Sequence, residues 1–228
     1  MTGVFLQARI SSSRLPGKAL ERLENRTVLE HCMAALGYVH AERHVLLTDT
    51  ESSPLFAPLA DAWGFELFEG DRDDVLDRYA RAAEQFDIDT VVRATGDNPL
   101  VSITLANRIL SEHRTVESDY SGYLGMPLGT GVEVVSAQAL MNADRHATDA
   151  YEREHVSPYI YRRPLEFRTH RPIVEPNLQS DERVTLDTVE DLARLRTLFA
   201  HLYRGLPIEV TELLHELRGM YMRHKRSA

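Results

Sequence analysis

Between Gln7 and Lys18 the chain reads Gln-Ala-Arg-Ile-Ser-Ser-Ser-Arg-Leu-Pro-Gly-Lys, which places Arg9, Arg14 and Lys18 among small and hydroxyl side chains with no acidic residue before Glu21. The chain as a whole is acidic, with a formal net charge of -9 over 228 residues, so the local excess of positive charge stands out. Guanidinium forks and an ammonium point charge are the side-chain groups best suited to phosphate oxygens. Three serines add hydroxyl donors, Gly17 permits close backbone approach, and Pro16 limits the freedom of the chain beside it. Such a loop suits a polyphosphate.

A Walker-type phosphate loop would need Ser or Thr after Gly17-Lys18, where Ala19 stands, and no Gly-x-Gly-x-x-Gly turn occurs. Magnesium carried with a triphosphate needs only one or two protein carboxylates, and two aspartates qualify. Asp97 lies in Thr95-Gly-Asp-Asn-Pro-Leu100, where Gly96 and Pro99 fix a turn after an apolar strand; an Asx turn is the alternative role. Asp187 precedes Thr188 and Asp191, whose spacing is that of a capping box, which frees Asp187 to face a ligand. Asp49, after a second strand, is a weaker candidate of the same kind. Zinc is not expected, because none of the 10 histidines has metal-ligand spacing.

The elements that must position these groups alternate. Val4-Phe-Leu6, Arg43 to Thr48, Phe65 to Phe68 and Thr90 to Thr95 read as strands. Between them, the apolar sets Leu29/Cys32/Met33/Leu36, Pro54 to Trp63 and Val75/Tyr79/Ala83 read as helices. Alternation of this kind predicts α/β architecture with a mainly parallel central sheet and ligands at the carboxyl ends of its strands. Beyond Leu100 the pattern loosens. Helices are expected over 103–113, 137–145, 154–162, 189–202 and 209–223, with strands at 131–135 and 183–186 and a hairpin arm over 165–173. The least regular stretch, 114–183, is where an acceptor-binding or dimerisation arm would be built within a single domain spanning 1–228.

The segments 7–18, 70–78, 95–100 and 183–192, in that order, resemble the cytidylyltransferase family of nucleotide-sugar synthesis. The likeness is nearest to its spore coat polysaccharide biosynthesis branch and more distant to the CMP-Kdo synthetases. It implies a Rossmann-like, GT-A-like nucleotidyltransferase fold and transfer of CMP from CTP to an anionic sugar or sugar-acid acceptor, with Mg2+. Arg14 and Lys18 then act on the triphosphate. Gln7, Ala8, Arg9, Ser12, Ser13, Asp74, Arg78, Thr95 and Gly96 meet the nucleotide, and Asp97 and Asp187 hold the metal. Glu133, Arg153 and His155 fall in acceptor-side segments, with His155 a base if its pKa lies near neutrality. Two departures are Ser11, where many relatives carry glycine, and Val189, where they carry proline.

Hydrophobic residues at 43% and charged residues at 27% are ordinary globular values. The acidic balance argues against nucleic acid and anionic membranes as partners, despite the basic run Arg223 to Arg226, which suits the end of a last helix. A lone cysteine, Cys32, within an apolar helical pattern reads as a buried thiol in a reducing cytoplasm. No stretch has the length and apolarity of a membrane span. A homodimer through the 114–183 arm is expected. The alternatives are a phosphonate or phosphorylated alcohol as acceptor, or a nonenzymatic nucleotide-binding scaffold.

Overall fold

Along the first strand, β1 (Thr2–Gln7), Val4 and Leu6 are buried against one layer of side chains and Phe5 against another. That is the period-two pattern of a strand covered on both faces. The structure is a computed structural model that describes the backbone of residues 1–227 and the side chains of residues 1–220. After β1 come a short antiparallel pair, β2 (Arg22–Leu23) and β3 (Arg26–Thr27), then α1 (Val28–Leu36), β4 (Arg43–Thr48), α2 (Ser53–Ala62), β5 (Glu66–Glu69), α3 (Val75–Gln85) and β6 (Thr90–Thr95). The second half holds α4 (Ile103–Val116), β7 (Tyr120–Gly122), β8 (Glu133–Ser136), α5 (Ala137–His146), α6 (Ala150–His155), α7 (Pro158–Tyr161), β9 (Thr169–His170), α8 (Val189–Leu202) and α9 (Val210–Ser227).

Seven strands form one sheet in the order β5-β4-β1-β6-β8-β7-β9. The first four are mutually parallel, β8 runs antiparallel to both β6 and β7, and β9 returns parallel to β7. On one face Val4, Leu6, Leu46 and Val92 pack with the Leu29/Cys32/Met33/Leu36 stripe of α1 and with α8. On the other, Phe5, Val45, Leu47 and Val91 pack with Leu76, Tyr79 and Ala83 of α3 and with α5. The fold is therefore α/β, with the mainly parallel sheet that the alternation predicts.

The register of β1 on β6 pairs Gln7 with Thr95, so the loops that leave both strands start from one edge. Gly96 makes this junction tight. Its N–H donates to the Gln7 carbonyl at 2.8 Å, and a Cβ there would come within 2.8 Å of the Ala8 Cβ. Only glycine fits without moving one of the two strand ends.

Three expected elements differ. The helix expected over 154–162 is two helices, α6 and α7, because Val156 takes a left-handed φ of 68° and Pro158 has no N–H to continue a helix. The hairpin arm over 165–173 is not formed. Thr169–His170 pairs parallel to β7, Pro172 interrupts the ladder, and Ile173 adds a single parallel bridge to Leu124, while Leu165 stands in solvent. The strand expected at 183–186 is an extended segment touching the 128 loop through one bridge, Leu128 to Arg183, and lying so close to Gly129 that a Cβ there would meet the Thr185 backbone at 2.9 Å. The side chains of the basic run Arg223 to Arg226 lie outside the described residues.

Candidate active site

The loop after β1 is closed by a backbone hydrogen bond from Gly17 N–H to the Ile10 carbonyl at 3.0 Å and anchored by Ile10 N–H donating to Ser52 Oγ at 2.8 Å. Gly17 is needed for its positive φ of 73°, not for close approach, since nothing lies within 4 Å of where its Cβ would be. Ser11 has no positive φ, so a side chain is accommodated where relatives carry glycine. From the turn that follows, the Lys18 ammonium reaches across the sheet edge. Its donors go to Asp97 Oδ2 at 2.7 Å, Asp187 Oδ1 at 2.9 Å and the Leu186 carbonyl at 2.9 Å. Two aspartates 90 residues apart in sequence thus face one cation.

The segment carrying Asp187 folds as its spacing predicts. Thr188 Oγ1 accepts from Asp191 N–H, and Asp191 Oδ2 accepts from the N–H groups of Thr188 and Asp187. The cap is thereby complete without the Asp187 carboxylate, which instead meets Lys18, Arg14 at 2.9 Å, and Arg183. Burial opposes the ionisation of Asp187, but the hydrogen bond and charge of Lys18, with Arg14 and Arg183 adding theirs, hold its pKa below the ordinary carboxylate value. Asp97 is fixed from its own strand end, where Thr95 Oγ1 donates to Oδ1 at 2.6 Å. Leu186 N–H donates to the Asp97 carbonyl at 2.9 Å, tying the two segments together.

These groups open onto a cleft of about 340 Å³. Gln7, Ala8 and Arg9 line it from the end of β1, and Ser12, Ser13, Arg14 and Lys18 from the loop. Thr95, Gly96 and Asp97 enter from the end of β6, with Asp187 beside them. Arg78 reaches it from α3; its buried guanidinium also donates to the carbonyls of Asp71 and Arg72, which props that turn. His155 lines the same cleft, its ring 4.2 Å from that of Tyr151.

Three expected site residues are not brought there. Asp74 caps α3 by accepting from Asp77 N–H and also accepts from Arg153 Nε at 2.7 Å. Arg153 is expected at the acceptor, but its guanidinium is tied to Asp74, to Asp144 at 2.6 Å and to the carbonyls of Asp144 and Ala147, so it braces α6 against α3 and α5. Glu133 lies on the far side of β6, at a second cavity of about 430 Å³ between β6, β8 and the 120–131 segment. There it accepts from Arg93 at 2.6 Å, Tyr120 at 2.8 Å and Ser157 at 2.9 Å.

Sequence reasoning passed over Arg93, a side chain that lines both cavities. Burial works against its charge, yet Glu133 beside it raises the guanidinium pKa above its ordinary value. The signal was present: a charged residue inside the apolar strand Thr90-Val-Val-Arg-Ala-Thr95. Cys32 takes no part, since burial in the core pushes its thiol pKa up.

Among the described residues no group of three or more His, Cys, Asp or Glu gathers to hold a metal unaided. The donor set nonetheless fits magnesium delivered with a triphosphate. Two hard carboxylates converge on a point where a monovalent ammonium now sits, and phosphate oxygens and water complete the shell of such an ion.

The cytidylyltransferase family model matches residues 4–225. The spore coat polysaccharide biosynthesis protein SpsF of Bacillus subtilis is 30% identical over 218 residues, covering 92% of this chain and 91% of its own. A cytidylyltransferase from Leptospira borgpetersenii superposes with a TM-score of 0.88 at 25% identity, over 97% of this chain and 95% of that one. The fold is shared more distantly by a CMP:2-keto-3-deoxy-manno-octonic acid synthetase complexed with CTP, at a TM-score of 0.69 and 16% identity over 88% of this chain and 98% of that one. With nearly its whole length matched, the chain belongs to the cytidylyltransferase family and is a nucleotidyltransferase.

Proposed function

We propose that the protein transfers CMP from CTP to an anionic sugar or sugar-acid acceptor and releases pyrophosphate, with Mg2+ held by Asp97 and Asp187. The observation that carries this reading is the shared Lys18 ammonium between those two aspartates, with Arg14 on the same carboxylate. A triphosphate entering this cleft offers Arg14 and Lys18 stronger anions than the carboxylates they now hold. Their release exposes two carboxylates to the cation the nucleotide brings. When bound, magnesium supplies positive charge against the phosphate oxygens.

In the transfer an acceptor oxygen attacks the α-phosphorus in line, forming the new P–O bond. The bond from the α-phosphorus to the bridging oxygen breaks, and pyrophosphate leaves with that electron pair. The hydroxyl proton passes to a base, for which His155 is the imidazole lining the cleft. Lys18 and Arg14 stabilise charge on the phosphate oxygens, and Arg78 and the end of β1 position the nucleoside. The reading sets the reaction in a reducing cytoplasm, with two chains associating through the 114–183 arm. Among the described residues no helix is long and apolar enough to cross a membrane.

Pyrophosphate release with four nucleoside triphosphates crossed against candidate acceptors tests the reading. Cytosine and uracil differ by a donor against an acceptor at one exocyclic position, so the wrong pyrimidine leaves a buried group unpaired. CTP is expected to outcompete UTP by roughly 5-fold to 150-fold, the equivalent of about 1–3 kcal/mol, with purines excluded by size. Tighter binding of ATP or GTP than of CTP, measured by calorimetry, would defeat the cytidylyl assignment.

A further inference from the structure

The nucleotide cleft and the second cavity meet at two side chains, Arg93 and Thr95, which line both. Arg93 is anchored from two sides, Nη1 donating to Glu133 Oε2 at 2.6 Å and Nη2 to Gln7 Oε1 at 3.0 Å. Its Nε is buried and has no hydrogen-bond partner. Asn98 also lines this cavity, and its Oδ1 is likewise buried without a partner. The amide orientation is fixed by its neighbours. Thr95 Oγ1 gives its one proton to Asp97 at 2.6 Å, so it must accept from Asn98 Nδ2 at 2.8 Å, which leaves Oδ1 as the free atom.

A buried donor on a cation and a buried acceptor, both unpaired, each carry a free-energy penalty that a ligand with matching groups removes. The matching groups are an anionic oxygen for Arg93 and a hydroxyl for Asn98. The other charged side chains on the cavity wall are Glu133, which Arg93 neutralises, and Arg171. Arg171 is exposed and lies 5.0 Å from the Tyr161 ring; among the described residues it has no carboxylate partner within salt-bridge distance. The wall therefore carries a net single positive charge, which suits a monoanion better than a doubly charged phosphate. The remaining surface, with Tyr123, Leu124 and Met126 beside several glycines, is apolar and low.

We propose that this second cavity is the acceptor pocket, in which Arg93 and Arg171 receive the acceptor's carboxylate and Asn98 accepts from a neighbouring hydroxyl. This rests on the cytidylyl-transfer reading and assigns selectivity to Arg93 and Arg171, outside the segments that resemble the family, together with Asn98 inside one of them. From Asn98 two hydrogen bonds, Asn98 to Thr95 and Thr95 to Asp97, lead into the nucleotide cleft. Arg93, shared by the two sites, makes acceptor binding sensitive to how Gln7 is engaged on the nucleotide side.

The experiment pairs calorimetric titration of CTP with magnesium against steady-state pyrophosphate release. The acceptors are eight- and nine-carbon ulosonic acids, their methyl esters and the corresponding sugar phosphates. Asn98→Ala and Arg171→Ala are compared with wild type. Arg93→Lys is used in place of Arg93→Ala, which would strand Glu133, and its thermal melt reports whether it folds. The acids are expected to turn over, with the esters and both alanine variants raising acceptor KM roughly 10-fold, the loss of about one hydrogen bond to a charged or buried group. CTP affinity of the two alanine variants is expected to stay within about 2-fold, since Asn98 and Arg171 do not line the nucleotide cleft. Esters used as well as acids, an unchanged acceptor KM in both alanine variants, or a preference for phosphates would overturn the assignment. If CTP binds and none of the acids turns over, the pocket assignment falls alone; if CTP does not bind, the transfer reading falls with it.

Discussion

In the cleft beyond β1 and β6, functional side chains are placed by backbone. Strand register sets Gln7 beside Thr95, Gly96 packs against Ala8, and a completed helix cap aims Asp187. The cleft's ion pairs, Lys18 with Asp97 and Asp187, join side chains that the backbone already aims, whereas in the half built from β7, β8 and α6 placement depends on the ion pairs themselves. Arg93 holds Glu133, Arg153 holds Asp74 and Asp144, and Arg163 holds Glu152 at 2.7 Å. Backbone placement is insensitive to most single side-chain changes, whereas an ion-paired scaffold fails when one partner is removed. Substitutions in the first region should therefore cost turnover with the fold intact, and substitutions in the second should cost stability first.

The sharpest form of that contrast lies at the two aspartates. Asp97→Asn and Asp187→Asn are each expected to lower kcat by roughly 100-fold to 1000-fold, because charge stabilisation in the transition state is lost. Their circular dichroism and melting should stay close to wild type, since each asparagine keeps the shape and one accepting oxygen and the backbone of both segments is held by its own hydrogen bonds. Lys18→Ala should lower kcat on the order of 100-fold with the CTP-to-UTP preference unchanged, as phosphate contacts carry no information about the base. Wild-type turnover in both aspartate variants would remove them from the metal site. A change of base preference at unchanged kcat would move Lys18 out of the triphosphate site.

On the ion-paired side, Glu133→Ala leaves Arg93 buried without its carboxylate. Side-chain exposures of 13% for Arg93 and 24% for Glu133 put the pair largely out of solvent. The expected loss is about 3 kcal/mol of unfolding free energy, read by urea titration. A loss no larger than that of an exposed pair such as Arg72–Glu51 would mean that the two halves are not held differently after all.

The same contrast explains what the sequence disclosed. Asp187 was readable because the evidence is local: Thr188 and Asp191 sit at cap spacing, and a filled cap leaves the preceding carboxylate free. Asp97 was readable because a Gly-Asp-x-Pro turn after an apolar run marks a strand's carboxyl end. Arg153 was not, because what decides its role is Asp74, 79 residues away, and no periodicity encodes that partner. The 165–173 stretch alternates like a strand, yet pairing needs a neighbour in register and a donor at every second residue, and Pro172 removes one. Arg93 was passed over, although a cation inside a central strand needs a partner, and Glu133 on the neighbouring strand is that partner.

A milder probe of the second half is acid. His113 of α4 is buried, and its Nδ1 lies 2.9 Å from Ser121 Oγ of β7 and 3.0 Å from Ser118 Oγ, so it pins the edge of the sheet to a helix. Burial, with Arg114 and His170 adding to it against the opposing charge of Asp119, depresses its pKa from 6.5 to about 4. The unfolded chain therefore binds this proton near pH 6.5, and the folded chain only near pH 4. Stability from this group is full above about pH 6.5 and falls by on the order of 1.4 kcal/mol per pH unit between those values. The first half carries a buried histidine of its own, His31 of α1, whose pKa burial also lowers, so the His113 substitution is what separates the share of the β7 side. His113→Gln, which keeps an acceptor for the serines but has no proton to gain, should be less stable at pH 7 and show a shallower decline toward pH 5. Urea unfolding of both proteins at pH 7, 6 and 5 measures the two slopes. Parallel slopes would show that His113 does not carry the acid lability over this range and would leave it to His31, whose pKa burial also lowers.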